Sequence, residues 1–265
     1  TERVIPLDGD LAEIVFALGA GDSVVATDLS ATYPPEADAL PQYGYQRALA
    51  AEPLAAFEPT LLLATDLAGP PEVLDELERI GIPLVIIPSE PTPTGAADKI
   101  RAVAEALDLA DAGSALADEV QARIDAAAAP SFTLPPRVVT LYLRGGQARL
   151  VFGPAYNTHW LIEAAGGVDL AGELGVEESA DISDEAILLA APDVLLVTTS
   201  GLESVGGIEG LLEEIPALAE TPAGRQRAVI AYDAQLLLGN GPRTGELLEQ
   251  MITDLTDIVQ MRTNP

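Results

Sequence analysis

Short apolar segments rich in β-branched residues recur along the 265-residue chain, and amphipathic stretches separate most of them. The predicted strands are Val4–Leu7, Ser23–Thr27, Leu61–Thr65, Leu84–Ile87, Val138–Tyr142, Val194–Thr198 and Val229–Tyr232. This alternation is typical of a parallel sheet with helices packed on its faces. The chain is long enough for one large domain or for two lobes of ordinary size.

The first amphipathic stretch illustrates how a helix is predicted. Asp10 and Glu13 have the spacing of a capping box, and Gly19 is expected to end the helix. The apolar positions that share one face are Leu11, Ile14, Val15 and Leu18.

The middle of the chain contains no strand pattern between Thr94 and Ala129. Helices are predicted over Ala96–Leu107 and Gly113–Ala128, with a weak break near Asp111–Gly113. The second helix has about 16 residues and spans roughly 24 Å, which is long enough to connect two lobes. We therefore expect an N-terminal lobe over residues 1–95, a helical connector over 96–130 and a C-terminal lobe over 131–265.

The two halves of the chain resemble each other. Residues 52–65 align without a gap with residues 185–198, and each stretch has a glutamate, a short apolar helix, a proline and a buried strand. The fold class predicted is α/β, with two similar Rossmann-like lobes joined by a long interlobe α-helix. Ligands of open α/β sheets bind at the carboxyl ends of the strands, so a ligand cleft between the lobes is expected.

The composition excludes several classes of function. The formal net charge is −29, from 42 acidic and 13 basic residues, so phosphate backbones and anionic membrane surfaces would be repelled. No apolar run approaches the length that spans a bilayer. The acidity itself fits either the base composition and habitat of the host or a surface that attracts a basic partner.

The catalytic inventory of the chain is poor. Cysteine is absent, His159 is the only histidine, and neither a Gly-x-Ser-x-Gly elbow nor a phosphate-binding loop occurs. One histidine cannot build a three-histidine site for a bare metal ion. We therefore expect a binding protein and no enzyme.

The sequence resembles the solute-binding proteins of cobalamin, siderophore and haem importers, the class III periplasmic binding proteins with a rigid interlobe helix. The resemblance rests on the opening Arg-Val-Ile-x-Leu, on the two glutamate–helix–proline–strand segments and on Gly-Pro-Arg-Thr at Gly241–Thr244. Within the class, Leu40–Glu52 is similar to a Leu-Pro…Gly-Tyr-x-Arg-x-Leu-Ser-Ala-Glu signature of the haem-binding branch. Leu67–Pro71 and Pro88–Thr92 also fit that branch.

This resemblance implies a monomer that binds ferric haem as its transported ligand and delivers it to the permease dimer of an ABC transporter. It implies an extracytoplasmic location, either periplasmic or lipid-anchored on the outer face of the cell membrane. Two alternatives remain: a ferric siderophore or cobalamin as ligand, and a metal-chelate enzyme on a related two-lobed scaffold.

Tyr45 stands where the haem-binding branch places an iron ligand. A phenolate is a hard anionic donor that favours ferric iron, but a free phenol has a pKa near about 10. Arg47 is expected to supply the positive charge that stabilises the anion. Tyr43 is the rival ligand, and a tyrosine packed on a neighbouring proline is the structural alternative.

Further contacts are expected from the second half of the chain. Tyr142 and Arg144 share one side of a strand end, where they suit a second iron ligand and a propionate partner. Tyr156 and His159 would line the haem pocket, although capping or packing also explains His159. Arg243 is expected to bind a carboxylate, and its alternative is a surface position at a helix N-terminus.

Glu52 and Glu185 are the paired glutamates of the repeat. Each opens a short helix, where a negative charge is favourable in any case. The resemblance implies that both dock onto arginines of the permease, because one glutamate per lobe matches a partner with two-fold symmetry.

Overall fold

The computed structural model describes residues 2–181 and 183–263, and the chain divides into two compact units. Unit 1 comprises the described part of Thr1–Arg123 together with Gly239–Thr244, and unit 2 comprises Ile124–Leu238 with the described part of Gly245–Pro265. Each unit contains its own sheet and its own helices, as the internal repeat predicts. The lobe limits expected at residues 95 and 130 stay a prediction.

Unit 1 is built on three parallel strands in the order β1-β2-β3. Its strands are β1 (Val4–Pro6), β2 (Leu61–Ala64) and β3 (Leu84–Ile86). Its helices are α1 (Gly9–Ala17), α2 (Pro35–Asp38), α3 (Ala51–Ala55), α4 (Pro71–Arg79), α5 (Gly95–Ala106) and the greater part of α6 (Ala110–Ala126), which enters unit 2 at Ile124. The register aligns Val4 with Leu61 and Leu62 with Leu84.

The core of unit 1 lies under this sheet. Ile5 and Leu62 from the strands pack with Leu54 of α3 and Leu77 of α4, and all four side chains are fully buried. Continuous apolar strands of this kind are expected where helices cover both faces of a parallel sheet.

Three local expectations in unit 1 are wrong. Ser23–Thr27 forms no strand. Its backbone pairs with its neighbours only at two isolated bridges, one to Val4 and one to Gln42. The break between the two long helices comes at Asp108, which has a φ of 55°. The predicted capping box of Asp10 and Glu13 does not cap α1. Asp8 does, because its carboxylate accepts a hydrogen bond from the Gly9 N–H at 2.8 Å.

Unit 2 contains a mixed sheet with the strand order β7-β5-β4-β8-β9, and β6 pairs beside β4. Its strands are β4 (Arg137–Leu143), β5 (Arg149–Phe152), β6 (Val168–Asp169), β7 (Ser179–Asp181), β8 (Val194–Thr198) and β9 (Val229–Tyr232). Its helices are α7 (Asn157–Ala164), α8 (Asp184–Ala190), α9 (Thr199–Ser204), α10 (Gly207–Glu214), α11 (Pro216–Ala219), α12 (Pro222–Gln226), α13 (Ala234–Gly239) and α14 (Thr244–Thr263). None of the helices in the described ranges is long and apolar enough to cross a membrane.

The repeat appears once in each unit. In unit 1, α3 is followed by Pro59 and by β2; in unit 2, α8 is followed by Pro192 and by β8. The antiparallel pair β4–β5 was not predicted, since β5 is short and follows a glycine-rich turn.

The only lysine of the sequence is buried in unit 1. Lys99 on α5 donates from Nζ to the carboxylate of Asp10 on α1 and to the carbonyl oxygen of Gly239 at 2.8 Å. Both charged side chains are almost fully excluded from solvent. A charge in this position is tolerated only while its partner and its hydrogen bonds are present.

We predict that Lys99→Met lowers the free energy of unfolding by about 3–5 kcal/mol, because it leaves the Asp10 carboxylate buried without a counter-charge. The control is Arg101→Met on the same helix, whose ion pairs with Asp98 and Asp118 are exposed and should contribute less than about 1 kcal/mol. Urea denaturation measures both. Equal losses in the two variants would contradict the prediction.

Candidate functional site

The loops that leave the carboxyl ends of β1 and β2 form one hydrogen-bonded cluster in unit 1. Asp8 follows β1 and caps α1, and Thr65 follows β2 with its hydroxyl 3.5 Å from the Asp8 carboxylate. Asp28 lies in a third loop, where it accepts bonds from the Ser30 backbone N–H at 2.9 Å and from the Ser30 hydroxyl at 2.6 Å. This edge is where an α/β sheet of parallel strands offers a ligand site.

Tyr45 belongs to a fourth loop at the same edge. Its backbone is extended, and a 3-10 turn over Gln46–Ala48 follows. The exposed fraction of Tyr45 is 37%, Arg47 is exposed as well, and Gln46 between them is buried. The loop is tied to its neighbours because Leu29 donates its backbone N–H to the Gly44 carbonyl at 2.9 Å.

Burial raises the pKa of two carboxyl groups beneath this loop. The pKa of Asp8 lies well above its usual value because of burial first and then the nearby charges of Asp10 and Asp28, which Lys99 and a hydrogen bond from the Gln46 side chain partly offset. Burial also raises the pKa of Asp28, and bonds from Ser30 and from the Gln46 backbone oppose that rise.

Tyr43 is a poor candidate for a phenolate. Its hydroxyl donates to the Pro6 carbonyl at 3.3 Å, and its ring packs on the core of unit 1. Burial raises the pKa of Tyr43 well above its usual value, and the charges of Asp28 and Asp8 raise it further. The geometry therefore supports the preference for Tyr45.

A stack of three aromatic rings lies at the carboxyl end of β4 in unit 2. The rings of Tyr142 and Phe152 are 5.2 Å apart between centroids, and those of Phe152 and Tyr156 are 3.8 Å apart and nearly parallel. Phe152 was missed by sequence reasoning because β5, which carries it, was not predicted. Arg144 follows Tyr142 on the more exposed side of the strand end, while Leu141 and Leu143 are buried on the other side.

The arginines differ in what holds them. Arg243 donates from Nε and from one terminal nitrogen to both carboxylate oxygens of Glu13, each at 2.8 Å, and lies 3.7 Å above the ring of Tyr33. This guanidinium fork is already occupied by a carboxylate of the protein, which favours a structural role for Arg243. Within the described ranges, Arg47 and Arg144 form no ion pair.

His159 lies in the first turn of α7 with its ring held by carboxylates. Its Nδ1 is 2.9 Å from the almost fully buried carboxylate of Asp169, and its Nε2 is 3.8 Å from Glu163. These contacts support the packing role that was the alternative from the sequence. The described residues contain no group of three histidine, aspartate or glutamate side chains that could hold a metal ion.

Glu52 and Glu185 take equivalent places in their units. Glu52 lies in the first turn of α3 and Glu185 in the first turn of α8, and both are exposed. A negative charge is favourable at a helix N-terminus, and both carboxylates are accessible to a partner.

A cavity of about 800 Å³ lies in unit 1, and Tyr45 is not among the residues that line it. Gly19 and Gly21 line it beyond the C-terminal end of α1, together with Tyr33, Leu40 and Arg243. Of the predicted ligand contacts, only Arg243 borders this cavity.

Comparison with known proteins identifies the family. The family model described as "Periplasmic binding protein" matches residues 4–236, which is most of the chain. The chain belongs to the periplasmic binding protein family. Its mixed α/β units agree with that membership.

Two solved structures and one curated relative agree with this family over almost the whole chain. The periplasmic heme-binding protein RhuT from Roseiflexus sp. RS-1 in apo form is 47% identical with a TM-score of 0.94, over 97% of this chain and 99% of that one. The periplasmic heme-binding protein BhuT in complex with two hemes is 37% identical with a TM-score of 0.87, over 97% and 98%. A vitamin B12-binding protein of Vibrio vulnificus (strain CMCP6) is 24% identical over 98% of this chain and 92% of its own length. The two-lobed fold predicted for this periplasmic binding protein is thereby confirmed.

We predict that Asp8→Asn stabilises the protein increasingly as the pH rises from about 4. The pKa of Asp8 is higher in the folded protein than in the unfolded chain. The group therefore lowers the free energy of unfolding as the pH rises from its unfolded pKa to its folded pKa. The gain should reach about 1.4 kcal/mol for each unit by which the pKa is raised. Urea denaturation at several pH values measures it.

Asn keeps an oxygen that can cap α1, so the helix start is preserved in this variant. Asp66→Asn makes the same chemical change at an exposed position and serves as control. A difference in unfolding free energy between Asp8→Asn and wild type that is constant or shrinks with rising pH would contradict the prediction.

Proposed function

We propose that this periplasmic binding protein binds ferric haem outside the cytoplasmic membrane and delivers it to the permease of an ABC importer. The relatives RhuT and BhuT, at 47% and 37% identity over almost the full chain, are both named as heme-binding proteins. The observation that carries the proposal is an exposed tyrosine, Tyr45, in a tied loop at the carboxyl edge of a sheet, with Arg47 beside it.

Tyr45 is the proposed iron ligand. Its phenolate would give ferric iron a hard anionic oxygen, and Arg47 would favour the ionised form through its charge. Arg47 forms no ion pair within the described part of the chain, so its guanidinium group is available for the phenolate or for a haem propionate.

Apolar side chains beside Tyr45 suit the flat face of a porphyrin. Leu29 and Leu67 have exposed fractions of 58% and 44%, and their loops are hydrogen-bonded to the loop of Tyr45 through Gly44 and Gln46. Apolar side chains around a few polar groups are typical of small-molecule sites.

Unit 2 supplies the remaining proposed contacts. Tyr142 is the second candidate ligand for the iron, and Arg144 is the proposed partner of a propionate. Tyr156 contributes a ring to the same aromatic stack as Tyr142. Arg243 and His159 were also expected at the haem site, and their existing partners, Glu13 and Asp169, make them weaker candidates.

The proposed delivery step uses the exposed glutamates Glu52 and Glu185 as docking points for arginines of a permease dimer. We propose further that the protein is a monomer, that no catalytic turnover takes place, and that the protein is either periplasmic or lipid-anchored at the outer face of the cell membrane. The family name supports the extracytoplasmic location.

Cobalamin is the second candidate ligand, because a curated relative that matches 98% of this chain is named as a vitamin B12-binding protein. Its 24% identity is about half that of RhuT. Titration of the apoprotein with cyanocobalamin and with ferric haem in parallel separates the two candidates. Tighter binding of cobalamin would replace haem in the proposal.

We predict that Tyr45→Phe removes the tyrosinate signature of the ferric-haem complex and weakens haem binding by at least roughly tenfold, since each tenfold corresponds to about 1.4 kcal/mol of lost coordination energy. Visible absorption titration measures both quantities. The matched control is Tyr43→Phe, which removes a phenol two residues away that is hydrogen-bonded to the Pro6 carbonyl. Loss of the signature in Tyr43→Phe with retention in Tyr45→Phe would overturn the ligand assignment.

We predict that Glu52→Ala and Glu185→Ala slow haem import by the reconstituted transporter and leave haem affinity unchanged, because each removes an exposed charge at the start of a short helix that is not among the proposed haem contacts. Haem uptake into proteoliposomes and a binding titration measure the two effects. Glu119→Ala on the exposed side of α6 is the control. Wild-type uptake rates for both docking variants would refute this role.

A further inference from the structure

We infer that Gln46 is a positioning residue that fixes Tyr45 and Arg47 for their proposed contacts with haem. The inference rests on the proposed function and concerns a residue that touches neither iron nor porphyrin in our account. Gln46 is 6% exposed, whereas its two sequence neighbours are both exposed.

Polar contacts hold Gln46 against three different segments. Its backbone N–H faces the Asp28 carboxylate and its side-chain amide faces the Asp8 carboxylate, and these contacts oppose the rise in the pKa of each acid. Its carbonyl oxygen accepts the Gly69 backbone N–H at 2.8 Å. These contacts tie the Tyr45 loop to three neighbouring segments at the carboxyl edge of the sheet.

The accepting carboxylates are themselves fixed. Asp8 caps α1 through the Gly9 N–H bond at 2.8 Å, and Asp28 accepts two bonds from Ser30. Because both carboxylates are held by these bonds, they restrain Gln46. Hydrogen-bond partners restrain the side chains that bind a metal in the same way.

The backbone conformation around Gln46 determines which side chains of the loop face outward. Tyr45 is extended and Gln46 begins a 3-10 turn, so the inward side chain of Gln46 leaves those of Tyr45 and Arg47 on the outer side. A loop with its central residue anchored loses less conformational entropy when iron binds to the neighbouring phenolate.

The test compares Gln46→Met with wild type. Methionine keeps the volume but removes the amide donor to Asp8, and Gln46→Asn is a second variant whose shorter amide no longer reaches that carboxylate. The control is Gln42→Met, the same change at an exposed position of the same loop. The measurements are the visible spectrum of the ferric-haem complex, its reduction potential and the rate of haem transfer to apomyoglobin.

We expect both Gln46 variants to release haem roughly 10–100-fold faster than wild type, which is the usual effect of losing a residue that orients a metal ligand. Their ferric spectra should show a mixture of tyrosinate-ligated and water-ligated haem, and the reduction potential should rise because phenolate favours the ferric state. Gln42→Met should match wild type in all three measurements.

Wild-type spectrum, potential and transfer rate in the Gln46 variants would overturn the inference and leave the proposed function intact. A lower melting temperature with these three properties unchanged would also overturn it, since that result assigns Gln46 a merely structural role. A wild-type protein that takes up no haem, or a Tyr45→Phe variant with an unchanged spectrum, would overturn both the proposed function and the inference.

Discussion

Four loops at the carboxyl edge of the unit 1 sheet are held together by two carboxylates that the fold partly or fully removes from water. Asp8 and Asp28 accept bonds from a helix N-terminus and from Ser30, and both carboxylates face polar groups of Gln46. The buried charges cost desolvation energy, and the bonds and the nearby Lys99 offset part of that cost. The exposed position of Tyr45 follows from this arrangement, because its neighbour Gln46 is drawn inward.

The same cluster separates the two tyrosines of the loop. Tyr43 lies against the core and near both carboxylates, which makes its phenolate costly, whereas Tyr45 is exposed and Arg47 follows it two residues later. Two chemically identical side chains two residues apart thus have different surroundings, and we propose the ligand role for the exposed one. A phenol can act as a ligand for ferric iron only where its anion is stabilised.

Much of the architecture could be predicted from the sequence, because strand and helix periodicity and the repeat of residues 52–65 in 185–198 depend on local patterns. The interactions between distant residues could not. Glu13 and Arg243 are 230 residues apart in sequence, and nothing local indicates that they form a bidentate pair. Asp8 and Asp28 are two carboxylates among 42 acidic residues, so their importance appears only from their burial. Phe152 was missed for a different reason, since the short strand that carries it lacks a clear pattern.

A crystal structure of the protein with ferric haem would show which oxygen binds the iron and whether Gln46 stays in contact with Asp8 and Asp28. We predict that the Tyr45 Oη atom binds the iron, with the Gln46 amide still facing Asp8 and its backbone N–H still facing Asp28. Iron bound to another residue, or a Tyr45 loop detached from both carboxylates, would contradict it.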